Sequence, residues 1–261
     1  MIEAFSEEAK NLFKFKKIPR RYIYHKVLRI PIILLRKIGL PFFKVSKKYI
    51  NFTSFPNDFS LNIENLLTQK IKYKSEGYSY GDKLISNSFL IRLLSDWPPI
   101  LFFKPKTQVY KSYDTALWLS KSDYQFQLTI KSKSDIEYFP YIKKLFIDLN
   151  DPKFIKAIKD FCDDKIDREL YSFVLTQASE GSGLIQHKDG ISLNEKFGDS
   201  FLNIIIFLDG SDPPLSSGGT GIYLSAKPGS LKEYPKSLKN SFLIYKSSRN
   251  IYHGFKPMKK N

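Results

Sequence analysis

The spacing of apolar positions changes along the chain, and the change predicts its elements. After Asp151-Pro152, residues Phe154, Ile155, Ile158, Phe161 and Cys162 recur at three- and four-residue intervals, the stripe of an amphipathic helix. Asp151 suits the cap, because its carboxylate can accept from the free amides of the first turn. Pro152 suits the first helical position, where no amide hydrogen is needed. Further on the runs shorten to Tyr171–Thr176, Leu184–His187, Phe201–Leu208, Gly221–Leu224, Ser241–Tyr245 and Ile251–Phe255, most of them divided by Gly-, Asp- or Pro-containing turns. Ten of the thirteen glycines fall in residues 181–261, so turns are concentrated there. This pattern predicts an all-β sandwich or barrel for the last third of the chain rather than a parallel βαβ sheet.

Upstream, Leu84–Leu94, Ile100–Lys104, Gln108–Tyr113 and Tyr124–Lys131 are rich in β-branched and aromatic residues and are expected to be short strands. Residues 52–62 read as a connection. The first ~55 residues read as helical pieces broken by Pro19, Pro31, Gly39 and Pro41.

Composition narrows the class. With 261 residues, 42% hydrophobic and 15% aromatic, the chain can bury a large core, and wholesale disorder is excluded. Cys162 is the only cysteine, which excludes an intrachain disulfide and a multi-thiolate zinc site and points to a reducing, cytoplasmic setting. Its place in the helical stripe makes it a small core residue rather than a reactive thiol. The apolar run Ile30–Leu35 is short and bounded by Arg29 and Arg36, far below the ~18 residues of a membrane span. Glu3, Glu7 and Glu8 precede it, against the order of a secretory signal. No G-x-G-x-x-G or G-x-x-x-x-G-K-[ST] motif is present, so phosphate-cradling loops are not supported.

The net charge of +16 is local: thirteen Lys/Arg and only three Glu lie in residues 1–50. Three readings stay open. The segment can be a solvated basic helical layer, a basic amphipathic surface in peripheral contact with anionic lipid, or a site for an acidic partner, with nucleic acid the weaker fit.

Histidine is scarce. His25 sits in the basic segment and reads as a surface residue, whereas His187 is followed two positions later by Asp189, a spacing that puts both side chains on one face at a strand end. That pair alone is weak evidence, and His253 alone reads equally as a hydrogen-bonded core histidine. Together, two histidines and one carboxylate on a β-scaffold form the facial triad of non-haem Fe(II), which leaves one side of the metal open. Trp97 and Trp118 read as packing residues, Gly218-Gly219 as a tight turn, and Lys256–Lys260 either as solvated lysines or as site residues.

The segment Gly181-x-x-Leu184-x-x-His187-x-Asp189, the strand Phe201–Asp209, Ser217-Gly-Gly-Thr-Gly-Ile-Tyr223, Lys227-Pro-Gly-Ser, Ser241-Phe-Leu-Ile-Tyr245 and Tyr252-His-Gly-Phe-Lys-Pro257 occur in an order that resembles the 2-oxoglutarate/Fe(II)-dependent dioxygenases, in particular the prolyl-4-hydroxylase-like branch. The resemblance covers residues ~170–258. It implies an α+β, mainly β fold, a double-stranded β-helix (jelly roll) with supporting helices. It also implies His187, Asp189 and His253 as iron ligands and catalytic residues, Fe(II) as metal, 2-oxoglutarate as co-substrate, and ascorbate as a candidate accessory. The implied reaction is hydroxylation of an unactivated C–H bond of a small molecule or protein side chain, with release of succinate and CO2. Asp189 argues against a halogenase, whose relatives carry a small residue there.

The organisation that follows is a basic N-terminal helical segment (1–60), an N-terminal part of the catalytic domain with strands (61–150), and a helix plus β-helix core carrying the metal site (151–261). Two positions depart from the family pattern. The basic residue that usually follows the distal histidine by about ten positions would fall at 263, which leaves Lys259, Lys260 and Arg249 as candidate anchors for the far carboxylate of 2-oxoglutarate, Lys259 first. Ala178 stands where relatives place a tyrosine, a role that Tyr223 or Tyr171 can take. The competing reading is a jelly-roll metal-binding or scaffold protein whose catalytic site has decayed.

Overall fold

The computed structural model describes residues 59–98, 104–108, 111–120, 139–162, 172–178, 182–189, 202–210, 219–227, 229–246 and 251–256, with side chains outside 104–120 and 172. The helical expectation for residues 1–55, and the strand expectation at Tyr124–Lys131, lie outside them.

Two short helices open the described chain. In α1 (Ile63–Leu67) the Asn62 side chain accepts from the Asn65 amide at 3.1 Å, capping the first turn. In α2 (Lys70–Glu76) the helix stops at Gly77, whose φ of 79° is the left-handed conformation that lets its amide return to Tyr73 O at 2.7 Å. The chain passes directly into β1 (Tyr78–Asp82).

Leu84–Leu94 is a correction. Only Ile85 makes a β-bridge, to Leu61, and α3 (Asn87–Ser95) occupies most of the span expected to be a strand. Its buried residues, Phe89 and Leu93, are four apart; apolar enrichment suggested a strand, but the spacing is helical. Gln108–Tyr113 is likewise not one strand. Gln108 ends β2 (Lys104–Gln108) and pairs with Lys111, the first residue of β3 (Lys111–Ser120). Of Ile100–Lys104, only Lys104 is described, as the start of β2.

A helix to which the sequence reading assigns no element, α4 (Pro140–Leu149), buries Ile142, Leu145 and Leu149, three and four residues apart. Its Asp148 is also buried; Oδ2 accepts from Ser60 N at 3.0 Å and Ser60 Oγ at 2.5 Å, and Oδ1 accepts from Lys144 Nζ at 2.5 Å. The next helix, α5 (Pro152–Cys162), follows the sequence reading: Phe154, Ile158, Phe161 and Cys162 are buried and Ile155 half-buried, with Ala157 completing the stripe. Asp151 Oδ1 accepts from the Lys153 amide at 2.8 Å, as its capping position implied.

The remaining strands are β4 (Ser172–Gln177), β5 (Gly183–His187), β6 (Leu202–Phe207), β7 (Gly221–Tyr223), β8 (Leu231–Glu233), β9 (Ser241–Lys246) and β10 (Tyr252–Phe255). Every pairing among the strands is antiparallel, in agreement with the expectation of a sandwich or barrel rather than a parallel sheet. One sheet has the order β1-β9-β6. The other runs β2-β3-β5-β10-β7-β8, with β4 also paired to β3.

Strand β9 explains how these layers meet. Its side chains alternate between faces, and both faces are covered, so Ser241 to Tyr245 are all buried. Phe242 and Ile244 join the core with Phe89, Phe139, Ile142, Phe154 and Phe161 of the helical side. Leu243 and Tyr245 turn the other way, into a second cluster with Tyr78, Ile222 and Ile251. Because Ile222 and Ile251 belong to the β7 and β10 side of the larger sheet, this second cluster lies between the two sheets. Trp97 is partly buried against the helical-side core and donates to Gln177 Oε1 at 3.4 Å, a packing role. Among the described residues, no helix is long and apolar enough to cross a membrane.

Candidate metal centre

His187 is the last residue of β5 and His253 lies on β10, and these strands are neighbours despite their separation in sequence. The two histidines are direct cross-strand partners, so their side chains emerge on the same face, with ring centroids 4.3 Å apart. A register shift follows between His253 and Phe255, and Gly254 occupies it. A Cβ on Gly254 would lie 2.5 Å from Leu184 O and 2.9 Å from Gln186 N, so only glycine lets β10 approach β5 this closely.

Asp189 lies two residues beyond His187, just past the strand end. Its Oδ1 is 3.5 Å from His253 Nε2 and 3.9 Å from His187 Nε2. One ligand atom from each residue falls within 4.8 Å of the others. The three residues predicted from spacing are therefore together in space.

The donor set fits a divalent metal. Nitrogen and oxygen ligands at ~2.0–2.2 Å stand about 3 Å apart when they share one face of an octahedron, so the two carboxylate–histidine separations need to close by about an ångström or less, and ligand atoms as far apart as 4.8 Å by roughly 2 Å, movements within reach of side-chain rotation. His187 Nδ1 lies 2.8 Å from Ile185 O; a carbonyl only accepts, so Nδ1 carries the proton and Nε2 presents its lone pair toward Asp189 and His253. His253 is buried, and burial first, then the neighbouring His187, holds its pKa well below 6.5. It is thus neutral at physiological pH, as a metal ligand must be. His253 Nδ1 is buried with no hydrogen-bond partner, so its ring is oriented by packing and by the contacts of Nε2.

Two residues of the smaller sheet complete the arrangement. Asn203 on β6 and Tyr245 on β9 are direct cross-strand partners. Asn203 Nδ2 donates to Asp189 Oδ2 at 2.9 Å, and Tyr245 Oη lies 3.2 Å from the same oxygen and 3.2 Å from His253 Nε2. Asn203 stands in the segment Phe201–Asp209 and Tyr245 in the segment Ser241–Tyr245, and the sequence motifs assign neither a role. The available signal was polarity: Asn203 interrupts the apolar run of β6, and Tyr245 brings a hydroxyl to the inner parity of β9, which it shares with Leu243 and, at the strand's start, Ser241.

Tyr223 is placed differently. On β7 it pairs with Tyr252, while Ile222 pairs with His253, so cross-strand alternation puts Ile222 on the histidine face. Tyr223 is buried, which pushes its phenol pKa up; the Gln186 side chain offsets part of this, although its contact does not reach hydrogen-bond geometry. Ala178 is exposed after β4. Lys259, Lys260, Arg249 and Tyr171 lie outside the described residues, as does the basic N-terminal segment with its possible lipid contact.

No protein-family profile matches the chain, and no curated protein matches it in sequence. Among solved structures it is similar to a Pseudomonas putida prolyl-4-hydroxylase, with 12% identity, a TM-score of 0.45, and coverage of 75% of this chain and 92% of that one. It is similar to a Trichoplax adhaerens prolyl hydroxylase, solved in complex with a hypoxia inducible factor oxygen degradation domain peptide fragment, with 12% identity, a TM-score of 0.47, and 75% and 82% coverage. An oxidoreductase of the 2-oxoglutarate/Fe(II) oxygenase family from Burkholderia pseudomallei is similar at 10% identity and a TM-score of 0.45, over 77% of this chain and 86% of that one.

Proposed function

We propose that this chain is an Fe(II)- and 2-oxoglutarate-dependent oxygenase built on a double-stranded β-helix, with His187, Asp189 and His253 as iron ligands. The observation that carries the reading is their convergence within 4.8 Å at the paired ends of β5 and β10. The order of the sequence motifs around them supports it.

Bound together, Fe(II), 2-oxoglutarate and O2 supply the oxidising power for hydroxylation of a C–H bond, with succinate and CO2 released. The protein's own residues make that chemistry local. His187, oriented through Ile185 O, offers Nε2; His253, kept neutral by burial, offers its own Nε2 from within the inter-sheet cluster; Asp189 contributes the one anionic oxygen. Three protein ligands from these residues would leave the metal's remaining positions for the two small molecules. The apolar surroundings, Ile222, Leu243 and Ile251, limit water on the buried side. Lys259, Lys260 or Arg249 holds the far carboxylate of 2-oxoglutarate through a charge-assisted hydrogen bond. The substrate is a small molecule or a protein side chain.

An anaerobic titration tests the reading. Intact protein with Fe(II) and 2-oxoglutarate should develop the weak visible charge-transfer band of the chelate, and His187→Ala should lose it. Absence of the band in intact protein overturns the proposal. Protein that binds metal but neither develops the band nor forms succinate is the scaffold alternative.

A further inference from the structure

The two sheets do not merely enclose the triad; the smaller one grips one atom of it. Asn203 and Tyr245, side by side on β6 and β9, both reach Asp189 Oδ2, whereas Oδ1 faces the two imidazoles. A carboxylate only accepts, so it is the amide nitrogen of Asn203 that faces it. Tyr245 has a single hydroxyl proton and two acceptors at equal distance, Asp189 Oδ2 and His253 Nε2.

We propose that Asn203 and Tyr245 are positioning residues that hold Asp189 as a one-oxygen metal ligand, by occupying Oδ2 and turning Oδ1 toward the histidines. This rests on the metal assignment above. A carboxylate can bind a metal through one oxygen or two, and the second mode uses a coordination position needed for the co-substrate or O2. The choice is made here from outside the ligand set. Metal binding also strengthens the arrangement: once a metal takes the lone pair of His253 Nε2, that nitrogen no longer accepts, and the Tyr245 proton is committed to Asp189 Oδ2. Metal occupancy and the Tyr245–Asp189 bond are therefore coupled.

The test is Co(II) titration of the full chain, because Co(II) d–d absorption reports coordination number and needs no turnover. Tyr245→Phe keeps the ring that packs between the sheets, so it removes the hydroxyl without a cavity; Asn203→Ala and the double variant complete the cycle, and His187→Ala is the site control. Each single variant should weaken Co(II) binding about tenfold or more, within the range for loss of an outer-shell partner. The losses should be non-additive, since both groups hold one oxygen. The spectrum should shift as the released Oδ2 takes a second position.

Wild-type affinity and an unchanged spectrum in both single variants, with binding lost in His187→Ala, would overturn the positioning role and leave the metal assignment standing. Wild-type binding in His187→Ala would overturn both. An intense visible band in the Fe(III) form that Tyr245→Phe removes would make Tyr245 a phenolate ligand and overturn its role as a positioning residue.

Discussion

Asn203 and Tyr245 are paired directly across β6 and β9, and both meet the same carboxylate oxygen of Asp189, a residue carried by the opposite sheet. The candidate metal centre is thus a contact between sheets as well as a proposed ligand set. Asp189 links the end of β5 to the inner face of the β1-β9-β6 sheet, so its substitution acts on folding before any metal enters.

The expected result concerns metal-free protein. Asp189→Ala removes the acceptor of the Asn203 amide and one of the two acceptors of Tyr245, and unpaired polar groups of this kind cost about 1–3 kcal/mol. Asp189→Asn, which keeps a carbonyl oxygen, should cost less. Urea unfolding in chelator measures the difference. If Asp189→Ala is as stable as wild type, the carboxylate does not link the sheets.

Much of this could be read from the sequence where local chemistry decides the outcome. The Asp151 cap and the α5 stripe, and strands β4 to β7, β9 and β10, follow from turn residues and apolar runs. So does the approach of His187 to Asp189, because two-residue spacing in extended chain sets it. The differences have two causes. Leu84 to Leu94 contains the residue types of a strand with the spacing of a helix, and the period, not the composition, decides its structure. The pairing of β1 with β9, which places Tyr78 opposite Tyr245, joins segments far apart in sequence and has no local signal. Asn203 and Tyr245 were missed for that reason: parity shows that each points inward, but only the topology shows that Asp189 is what they meet.

A pH dependence follows from His253. Its folded pKa lies well below 6.5 because it is buried and close to His187. In the unfolded chain it titrates near 6.5, so below that pH the unfolded state takes up a proton that the folded state does not. Stability therefore falls as pH drops below ~6.5, by at most about 1.4 kcal/mol per pH unit from this one group, and is unaffected by it above. Thermal unfolding of chelated protein at pH 7.5 and 5.5 checks this against His253→Gln, which should show a smaller acid loss. Equal losses in the two proteins would remove His253 as the cause.

The proposed co-substrate anchor is testable by substitution. A charge-assisted hydrogen bond to a carboxylate contributes roughly 1.5–3 kcal/mol, or about 10- to 150-fold in affinity. Of Lys259→Met, Lys260→Met and Arg249→Met, one should weaken 2-oxoglutarate binding by that factor while Fe(II) or Co(II) affinity stays within about twofold. Calorimetric titration of metal-loaded protein distinguishes them. If all three bind 2-oxoglutarate as wild type does, the anchor lies elsewhere.

Gly254 gives a prediction in which a residue that contributes no ligand atom disables the site. A methyl group at this position would stand 2.5 Å from Leu184 O, 2.9 Å from Gln186 N and 3.0 Å from Ile185 C, all of them backbone atoms of β5 that cannot swing aside as a side chain could. Relief requires β10 to withdraw from β5. That movement separates His253 from His187, its direct partner across the two strands, and carries Nε2 away from Asp189 Oδ1. Overpacking of this kind costs about 1–3 kcal/mol or more, so Gly254→Ala should lower the melting temperature of the metal-free protein. The more informative measurement is metal affinity under conditions where the variant is fully folded. A uniform loss of stability would leave folded molecules with a normal site, whereas displacement of β10 predicts Co(II) binding weakened at least tenfold in folded protein. Wild-type affinity in folded Gly254→Ala would mean that the bulge is not what sets the spacing of the two histidines.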